Sequence, residues 1–302
     1  MSQRHPLLEL RVQLPFWVCT IIWGTTWIVI RDQLGEVPPS WSIAYRFIAA
    51  AVAMFAWVAF TRQDLRIGRA GHGVALVMAA AIFFANFNFV YRSEAYITSG
   101  LVALIFALLI VPNTILARVF LGQRSSLRFF LGAGVAMAGI ALLLIEEYRA
   151  APPNADVGLG IILVLTGVFC ASIGNVIQAS ERAKALPVAS LLAWGMLWGA
   201  LINAAWALVS AGPPVIDTRL GYIAGVLYLG VAASAVAFLT YFNVIRLVGP
   251  AVAAYSSVLT PVIAMVISTL HEGYEWTLLA ALGSVLALAG LAIALSARKP
   301  SA

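Results

Sequence analysis

The sequence has few charged residues: Asp, Glu, Lys and Arg make up only 10% of its 302 residues, while 63% are hydrophobic. A soluble globular domain carries about 25% charged and about 45–50% apolar residues. At about 20 residues for each membrane-spanning helix, ten helices with short turns leave no room for a separate soluble domain. The composition therefore predicts an all-α polytopic membrane protein.

Residues that carry catalysis or bind metals are also scarce. Cys19 and Cys170 both fall inside apolar runs, where a thiol behaves as a small hydrophobic side chain. The three histidines, His5, His72 and His271, stand near predicted helix ends or in the N-terminal tail. The sequence has no nucleophile–base pair and no metal-ligand cluster, so we expect no enzyme, no metal and no cofactor.

The chain repeats itself at an offset of about 150 residues. The matching pairs, at offsets of 149 to 151, are Gly24 and Gly174, Tyr91 and Tyr241, Gly100 and Gly249, Pro112 and Pro261, Gly132 and Gly283, and Gly139 and Gly290. Offsets that agree this closely, in order, point to a tandem duplication. We therefore divide the chain into a first repeat, residues 1–150, and a second repeat, residues 151–302, which together form one membrane domain.

Apolar runs separated by Pro- and Gly-rich breaks predict ten transmembrane helices. They lie near residues 13–31, 39–60, 72–92, 97–118, 127–146, 157–180, 187–210, 219–242, 249–270 and 275–297. Five helices per repeat is an odd number, so the second repeat must cross the bilayer in the opposite sense to the first. The predicted architecture is a 5+5 inverted-topology repeat, which is typical of secondary transporters.

The basic residues predict how the chain lies in the membrane. With both termini in the cytoplasm, thirteen of the eighteen lysines and arginines lie on the cytoplasmic side and four on the outer side, while Arg46 lies inside a helix. This distribution follows the positive-inside rule and predicts a multi-pass protein of the cell (inner) membrane. The loop arginines also account for the net charge of +6. The expected partners are therefore the lipid bilayer and a small-molecule substrate, with no nucleic acid.

Short motifs along the chain resemble a known family. They are Trp23-Gly24 in the first helix, Tyr45-Arg46 in the second, the run from Pro112 through Leu116-Ala117-Arg118 to Phe120-Leu121-Gly122, and the small-residue stretch from Gly132 to Gly139. This set resembles the ten-span, EamA-type carriers of the drug/metabolite transporter superfamily and, beyond that, the aromatic amino acid exporter branch. The resemblance implies a carrier that often exports amino acids or other small metabolites. Gln123 departs from the acidic residue usual after the fourth helix, although Glu272 stands near the equivalent place in the second repeat.

Polar and aromatic side chains on single helix faces mark where a substrate cavity is expected. Residues three and four positions apart share a helix face, and an amide in hydrocarbon is costly unless it is paired or hydrated. The alternatives are interhelical hydrogen bonding for the polar members and packing against lipid for the aromatic ones. The expected substrate-binding residues are Trp17, Thr20, Gly24, Trp27, Phe84, Asn88, Tyr91, Phe106, Asn175, Gln178, Phe238, Tyr241 and Tyr255.

Three further residues are candidates for a gating role. Pro112 and Pro261 each remove a backbone donor in mid-helix and so kink the fourth and ninth helices. They are either hinges for opposite gates or static kinks that shape the cavity. Arg46 is either a contact for a carboxylate or gate element, or a structural arginine that extends toward the interface.

These features predict a secondary transporter that works by alternating access around a central cavity. We expect it to export small amphipathic metabolites, such as aromatic and other neutral amino acids. All twelve acidic residues lie near predicted helix ends or in loops, which disfavours a buried proton relay and a strongly cationic substrate. Glu94 and Glu272 are the alternative proton sites.

Two other kinds of protein stay as alternatives: a broad-specificity drug efflux carrier, which would need an acid in its cavity, and a channel, which would need a ring of repeated ligands. The oligomeric state is also open. We expect a monomer, with Gly195-x-x-x-Gly199 and Gly221-x-x-x-Gly225 as the alternative contacts for a dimer.

Overall fold

The computed structural model describes residues 10–122, 126–150, 156–253, 256–273 and 275–296. Within these ranges all regular elements are helices and no strand occurs, in agreement with the predicted all-α class. The long helices are α1 (Leu10–Asp32), α2 (Pro39–Phe60), α3 (Gly68–Ser93), α4 (Ser99–Leu121), α5 (Leu127–Ala150), α6 (Val157–Gln178), α7 (Val188–Ala211), α8 (220–248), α9 (Ser256–His271) and α10 (Leu278–Ser296). One-turn helices lie at Glu181–Lys184 and Pro250–Ala253.

Many of these helices can cross a membrane. Within the described ranges, α1 to α4 and α6 to α8 are the seven that are long and apolar enough to span one. Shorter apolar stretches, Leu127–Leu143, Thr260–His271 and Leu278–Gly290, lie in α5, α9 and α10. The chain is therefore a multi-pass membrane protein, and the count of ten spans stays a prediction.

Proline and glycine set several helix ends. Pro39 begins α2, at a first-turn position where its missing N–H has no partner to lose. Gly122 ends α4 with a φ of 66°, in the left-handed conformation that glycine adopts without strain. Gly249 follows α8 with a φ of 82°. The breaks used to divide the sequence are therefore also the places where the backbone turns.

α3 and α8 are interrupted by π-helix at equivalent places. The segment Ala79–Asn86 of α3 and the segment Tyr228–Val236 of α8 both have this wider turn. A π turn shifts the hydrogen-bond pattern by one residue and is frequent at functional sites. The two segments lie about 150 residues apart, so the offset seen in the sequence recurs in the local backbone.

The packing of the helices pairs the two halves of the chain. α2 packs on α7, α4 on α9, and α5 on α10. The pair α1 and α9 has its counterpart in α6 and α4, and the pair α2 and α8 has its counterpart in α7 and α3. The main core lies where these helices meet, so neither half forms its core alone.

The contact between α5 and α10 depends on glycines. A Cβ atom on Gly139 would lie 2.6 Å from the carbonyl oxygen of Gly283, and one on Gly290 would lie 2.7 Å from that of Gly132. Gly139 of α5 thus meets Gly283 of α10, and Gly132 meets Gly290. The two helices are therefore antiparallel. Only glycine allows the two backbones to approach this closely.

Equivalent hydrogen bonds also fix the starts of α2 and α7. Trp41 Nε1 donates to the carbonyl oxygen of Gly212 at 3.2 Å, and Tyr45 donates to that of Val215 at 3.0 Å. On α7, Ser190 donates to the carbonyl oxygen of Asp64 at 2.7 Å, and Trp194 Nε1 donates to that of Leu65 at 2.9 Å. Each helix start therefore holds the loop that follows its partner helix.

Candidate functional site

A cavity lies at the centre of the bundle, between the two halves of the chain. Side chains of α1, α2, α3 and α4 line it from the first half, and side chains of α6, α8 and α9 line it from the second. The cavity is partly open, and the space of about 810 Å³ free of protein atoms between these residues includes open solvent. A concave site of this kind, mostly apolar with a few polar groups, is the usual form of a small-molecule site.

Aromatic rings form much of the cavity wall. The ring of Trp23 lies 4.8 Å from that of Tyr241 and 5.5 Å from that of Phe238, both edge to face. Trp27 lies 5.4 Å from Phe106, between ring centroids. The indole N–H of Trp23 donates to a backbone carbonyl oxygen in the π-helical segment of α8 at 3.1 Å. These rings give a flat apolar group of a solute a fixed surface on which to pack.

Amide, indole and hydroxyl groups supply the uncharged polar atoms of the wall. Asn175 donates from Nδ2 to Oδ1 of Asn113, which lies behind it, at 3.5 Å. Asn86 and Trp27 also line the cavity. Their atoms Oδ1 and Nε1 are buried and make no hydrogen bond to any residue that the structure describes. A buried polar atom without a partner is costly, so Nε1 of Trp27 is a candidate to bind a polar group of a solute. Oδ1 of Asn86 lies against Gly167 of α6, 3.4 Å from where a Cβ atom on that glycine would be.

Arg46 brings a positive charge to the cavity and is only 2% exposed. Its Nε donates to the hydroxyl oxygen of Ser234 at 2.9 Å. Ser234 in turn donates to the carbonyl oxygen of Leu229, five residues back in the π-helical segment, at 2.8 Å. The guanidinium carbon lies 4.2 Å from the ring centre of Phe87. The π-helix of α8 and a ring of α3 therefore hold the guanidinium in place.

The structure brings part of the predicted site together. The predicted residues that line the cavity are Trp27, Phe106, Asn175, Phe238, Tyr241 and Arg46. They come from five helices of both halves, and in the sequence they are spread from residue 27 to residue 241. What these residues have in common is that they line the same cavity.

Three predicted residues of α1 lie away from the cavity wall. Trp17 is on the outer surface of the bundle and is 49% exposed. Thr20 is buried and donates to the carbonyl oxygen of Phe16 at 2.7 Å, within its own helix. Gly24 lies against Ile263 of α9, where a Cβ atom would be 2.7 Å from that side chain. Gly24 therefore allows α1 and α9 to pack closely.

The predicted residues of α3 contact neighbouring helices. Phe84 packs edge to face on a tryptophan of α7, 6.1 Å between centroids. Asn88 donates to Oδ1 of Asn203 on α7 at 2.8 Å. Tyr91 donates to Oε1 of Gln33 at the end of α1 at 3.1 Å. These three side chains therefore connect helices and do not line the cavity.

The other predicted residues lie at helix ends or kinks. Gln178, with its amide turned to satisfy both groups, accepts from Nε and Nη2 of Arg246 at 3.0 Å each. Pro112 follows a 3₁₀ turn at Ala107–Leu109 that interrupts α4, and Pro261 lies inside α9. Tyr255 lies outside the residues that the structure describes.

Sequence reasoning missed several wall residues, among them Trp23, Ile82 and Phe87. Trp23 is four residues before Trp27, so the helical spacing of α1 was the signal that could have found it. Asn86 and Asn88 are both buried amides, and only the position of Asn203 decides which of them faces α7. That partner is 115 residues away in sequence.

A buried acid lies beyond one end of the cavity-lining helices. Glu94 follows α3, is fully buried, and neither of its carboxylate oxygens makes a hydrogen bond within the described residues. Nearby Glu272 accepts from the hydroxyl of Ser99 and lies 3.8 Å from Nε of Arg31. Burial, and then the charge of Glu272, raise the pKa of Glu94 well above 4.5, against the effect of Arg31 and Arg46.

Comparison with known proteins relates the whole chain to transporters. The sequence model of the EamA-like transporter family matches residues 14–145 and again residues 158–296. Protein PagO of Salmonella typhimurium LT2 is 25% identical over 268 residues, which cover 88% of this chain and 86% of PagO. The uncharacterized inner membrane transporter YedA of Escherichia coli K12 is 27% identical over 256 residues, which cover 82% of this chain and 79% of YedA. A solved crystal structure with 17% sequence identity has the same fold, with a TM-score of 0.67 over 95% of this chain and 99% of its own.

Proposed function

The chain belongs to the EamA-like transporter family, and from this premise we propose that it is a secondary carrier of small amphipathic metabolites such as aromatic and other neutral amino acids. The family makes it a membrane transporter of the drug/metabolite transporter superfamily and not an enzyme. The observation that carries the substrate proposal is the central cavity, where aromatic rings surround a few amide groups. Such a wall suits a solute with one flat apolar part and one polar part.

We propose ten spans arranged as two five-helix repeats of opposite orientation, residues 1–150 and 151–302. The antiparallel contact of α5 and α10 supports this arrangement, because equivalent glycines meet there in a two-fold manner. The matched π-helical segments of α3 and α8 support it as well. By the positive-inside rule both termini lie in the cytoplasm, and the name of YedA supports an inner-membrane location.

Alternating access follows from this arrangement. The cavity lies between the halves, and hydrogen bonds join the halves on either side of it. Breaking one set while keeping the other opens the cavity to one face of the membrane at a time. Pro112 and Pro261 lie on α4 and α9, which both line the cavity, and are the proposed hinges. The proposed direction of net flux is export.

The test is counterflow of radiolabelled L-phenylalanine in proteoliposomes. A carrier exchanges substrate, so unlabelled phenylalanine inside the vesicles accelerates uptake, whereas it does not do so through a channel. Phe106→Ala and Phe238→Ala remove cavity rings and should raise the KM about tenfold, because an aromatic contact contributes about 0.5–1.5 kcal/mol in addition to its buried area. Phe84→Ala is the matched control, because that ring packs outside the cavity.

Two results would contradict the proposal. Uptake that does not respond to internal phenylalanine, tyrosine, leucine or any other neutral amino acid would remove the substrate class. Equal effects of Phe84→Ala and Phe238→Ala on the KM, with unchanged melting temperatures, would show that the described cavity is not the transport site.

A further inference from the structure

Arg46 differs from Arg246, a half-buried arginine of the bundle. Arg246, at the end of α8, donates from Nη1 and Nη2 to the carbonyl oxygens of Leu186 and Ala183 at 2.6 and 2.7 Å. Its donors are thus paired with the backbone, as expected of an arginine that stabilises structure. Nη1 of Arg46 is buried and makes no hydrogen bond to any described residue. The side chain that lines the cavity is therefore the one that keeps an unpaired donor.

The rest of the Arg46 side chain is already fixed. Ser234 binds Nε, and the ring of Phe87 lies under the guanidinium plane. A guanidinium has five N–H donors in a planar fork, whose geometry matches a carboxylate. No acidic side chain lines the cavity in the part of the chain that the structure describes. The protein thus holds a cation in the cavity wall, and the acid whose charge acts on it, Glu94, lies outside that wall and makes no hydrogen bond to it.

We propose that Arg46 binds the carboxylate of the substrate, so that the cavity takes aromatic or other apolar carboxylates and rejects the corresponding amines. The proposal rests on the proposed function and narrows its substrate class. Nη1 donates to a carboxylate oxygen, while the apolar part of the solute packs on Trp23 and Phe238.

The positive charge of Arg46 favours a solute with a carboxylate over the corresponding amine. Bringing a carboxylate into a buried site is costly unless a cation and hydrogen-bond donors meet it, and Arg46 supplies both. A primary ammonium ion without a carboxylate meets uncharged polar groups in the wall and the repulsion of the guanidinium. The carboxylate is therefore the group that the substrate cannot lack, whereas the amino group is dispensable.

Three matched solutes test the proposal on the wild-type protein. L-Phenylalanine has both groups, 3-phenylpropionate lacks the amine, and 2-phenylethylamine lacks the carboxylate. Each is used at equal concentration to inhibit counterflow of labelled L-phenylalanine in proteoliposomes, at a pH where the amine is protonated and the acid ionised. We expect 3-phenylpropionate to compete within about tenfold of L-phenylalanine. We expect 2-phenylethylamine to compete at least about tenfold more weakly, since it loses a hydrogen bond between charged groups.

Variants of Arg46 give a second measurement. Arg46→Gln should raise the KM for L-phenylalanine at least tenfold, and Arg46→Lys should restore part of the loss, because it keeps the charge and loses the fork. Arg92→Gln is the control, since that arginine is exposed at the end of α3. Competition by 2-phenylethylamine equal to that of L-phenylalanine would overturn the carboxylate site and leave the carrier intact. Absence of counterflow with L-phenylalanine and with every other neutral amino acid would overturn the proposed function as well.

Discussion

Glu94 is the residue whose environment is least like that of an ordinary surface acid. Its carboxyl group is fully buried, and no described residue gives it a hydrogen bond. The charged groups near it are Glu272 beyond α9, Arg31 on α1 and Arg46 on α2. Burial and Glu272 outweigh the two arginines, so the pKa of Glu94 is raised above 4.5. The folded protein therefore holds a proton on Glu94 more tightly than the unfolded chain does.

The raised pKa of Glu94 predicts the sign of a pH effect on stability. The stabilisation is fully present below about pH 4.5 and is lost as the pH rises through the folded pKa. A tenfold difference in proton affinity between the folded and unfolded states corresponds to about 1.4 kcal/mol. We expect the melting temperature in detergent to fall with rising pH, and Glu94→Gln to flatten that slope, because the amide replaces a neutral carboxyl group. Glu181→Gln, at an exposed acid, should leave the slope unchanged. An identical slope in Glu94→Gln would contradict the prediction.

At the level of single residues, the sequence shows which side chains are aromatic or polar, but it predicts less well which of them face the cavity. Spacing of three and four residues placed Phe238 and Tyr241 on the cavity face of α8, and both line the cavity. The same rule placed Phe84 and Asn88 on a shared face of α3, but that face contacts α7. Which face of a buried helix meets the cavity depends on partners far away in sequence. An amphipathic pattern cannot reveal that choice when all sides of a helix are apolar.

At the level of elements, the crossing of α5 and α10 gives a direct test of the glycine pairing. Gly139→Ala places a methyl group against the backbone of α10, so the two helices must separate. Overpacking of this kind costs about 1–3 kcal/mol. Gly134→Ala on the same helix places its methyl group in open space and should be neutral or slightly stabilising, since alanine is the better helix former. The measurement is the melting temperature of the two purified variants.

The comparison of these two variants separates packing from helix propensity. Equal stability of Gly139→Ala and Gly134→Ala would contradict the close contact between α5 and α10. Gly290→Ala, the equivalent change on α10, should lose as much stability as Gly139→Ala, because each glycine faces a carbonyl group of the other helix.

The sequence predicted the helix positions well, but it did not predict the π-helical segments inside α3 and α8. α2 begins and ends where the Pro-rich break and the apolar run placed it, at residues 39 and 60. α8 continues to Val248, about a turn and a half beyond the predicted end near 242. The π-helical segments of α3 and α8 have no hydropathy signal, because Ala79–Asn86 and Tyr228–Val236 are as apolar as the flanking α-helix. In α8 the hydroxyl of Ser234 donates to the carbonyl oxygen of Leu229, five residues back, inside the wider turn.

At the scale of the whole molecule, the proposed inversion of the two halves makes equivalent loops face opposite sides of the membrane. Glu36, after α1, and Ala185, after α6, lie 149 residues apart and are both exposed. Gln63, after α2, and Pro213, after α7, are a second exposed pair. Under inversion, each pair has one member outside the cell and one inside.

Single cysteines at these four positions test the orientation in whole cells. The two native cysteines are replaced by alanine first, so that one thiol remains in each variant. A membrane-impermeant maleimide should label Glu36→Cys and Pro213→Cys in intact cells, and Gln63→Cys and Ala185→Cys only after permeabilisation. The expected reason is that five crossings separate the members of each pair, and the positive-inside rule places the basic loops in the cytoplasm. Labelling of Glu36→Cys and Ala185→Cys from the same side would exclude an odd number of spans in each half, and with it the alternating-access arrangement built on two opposed repeats.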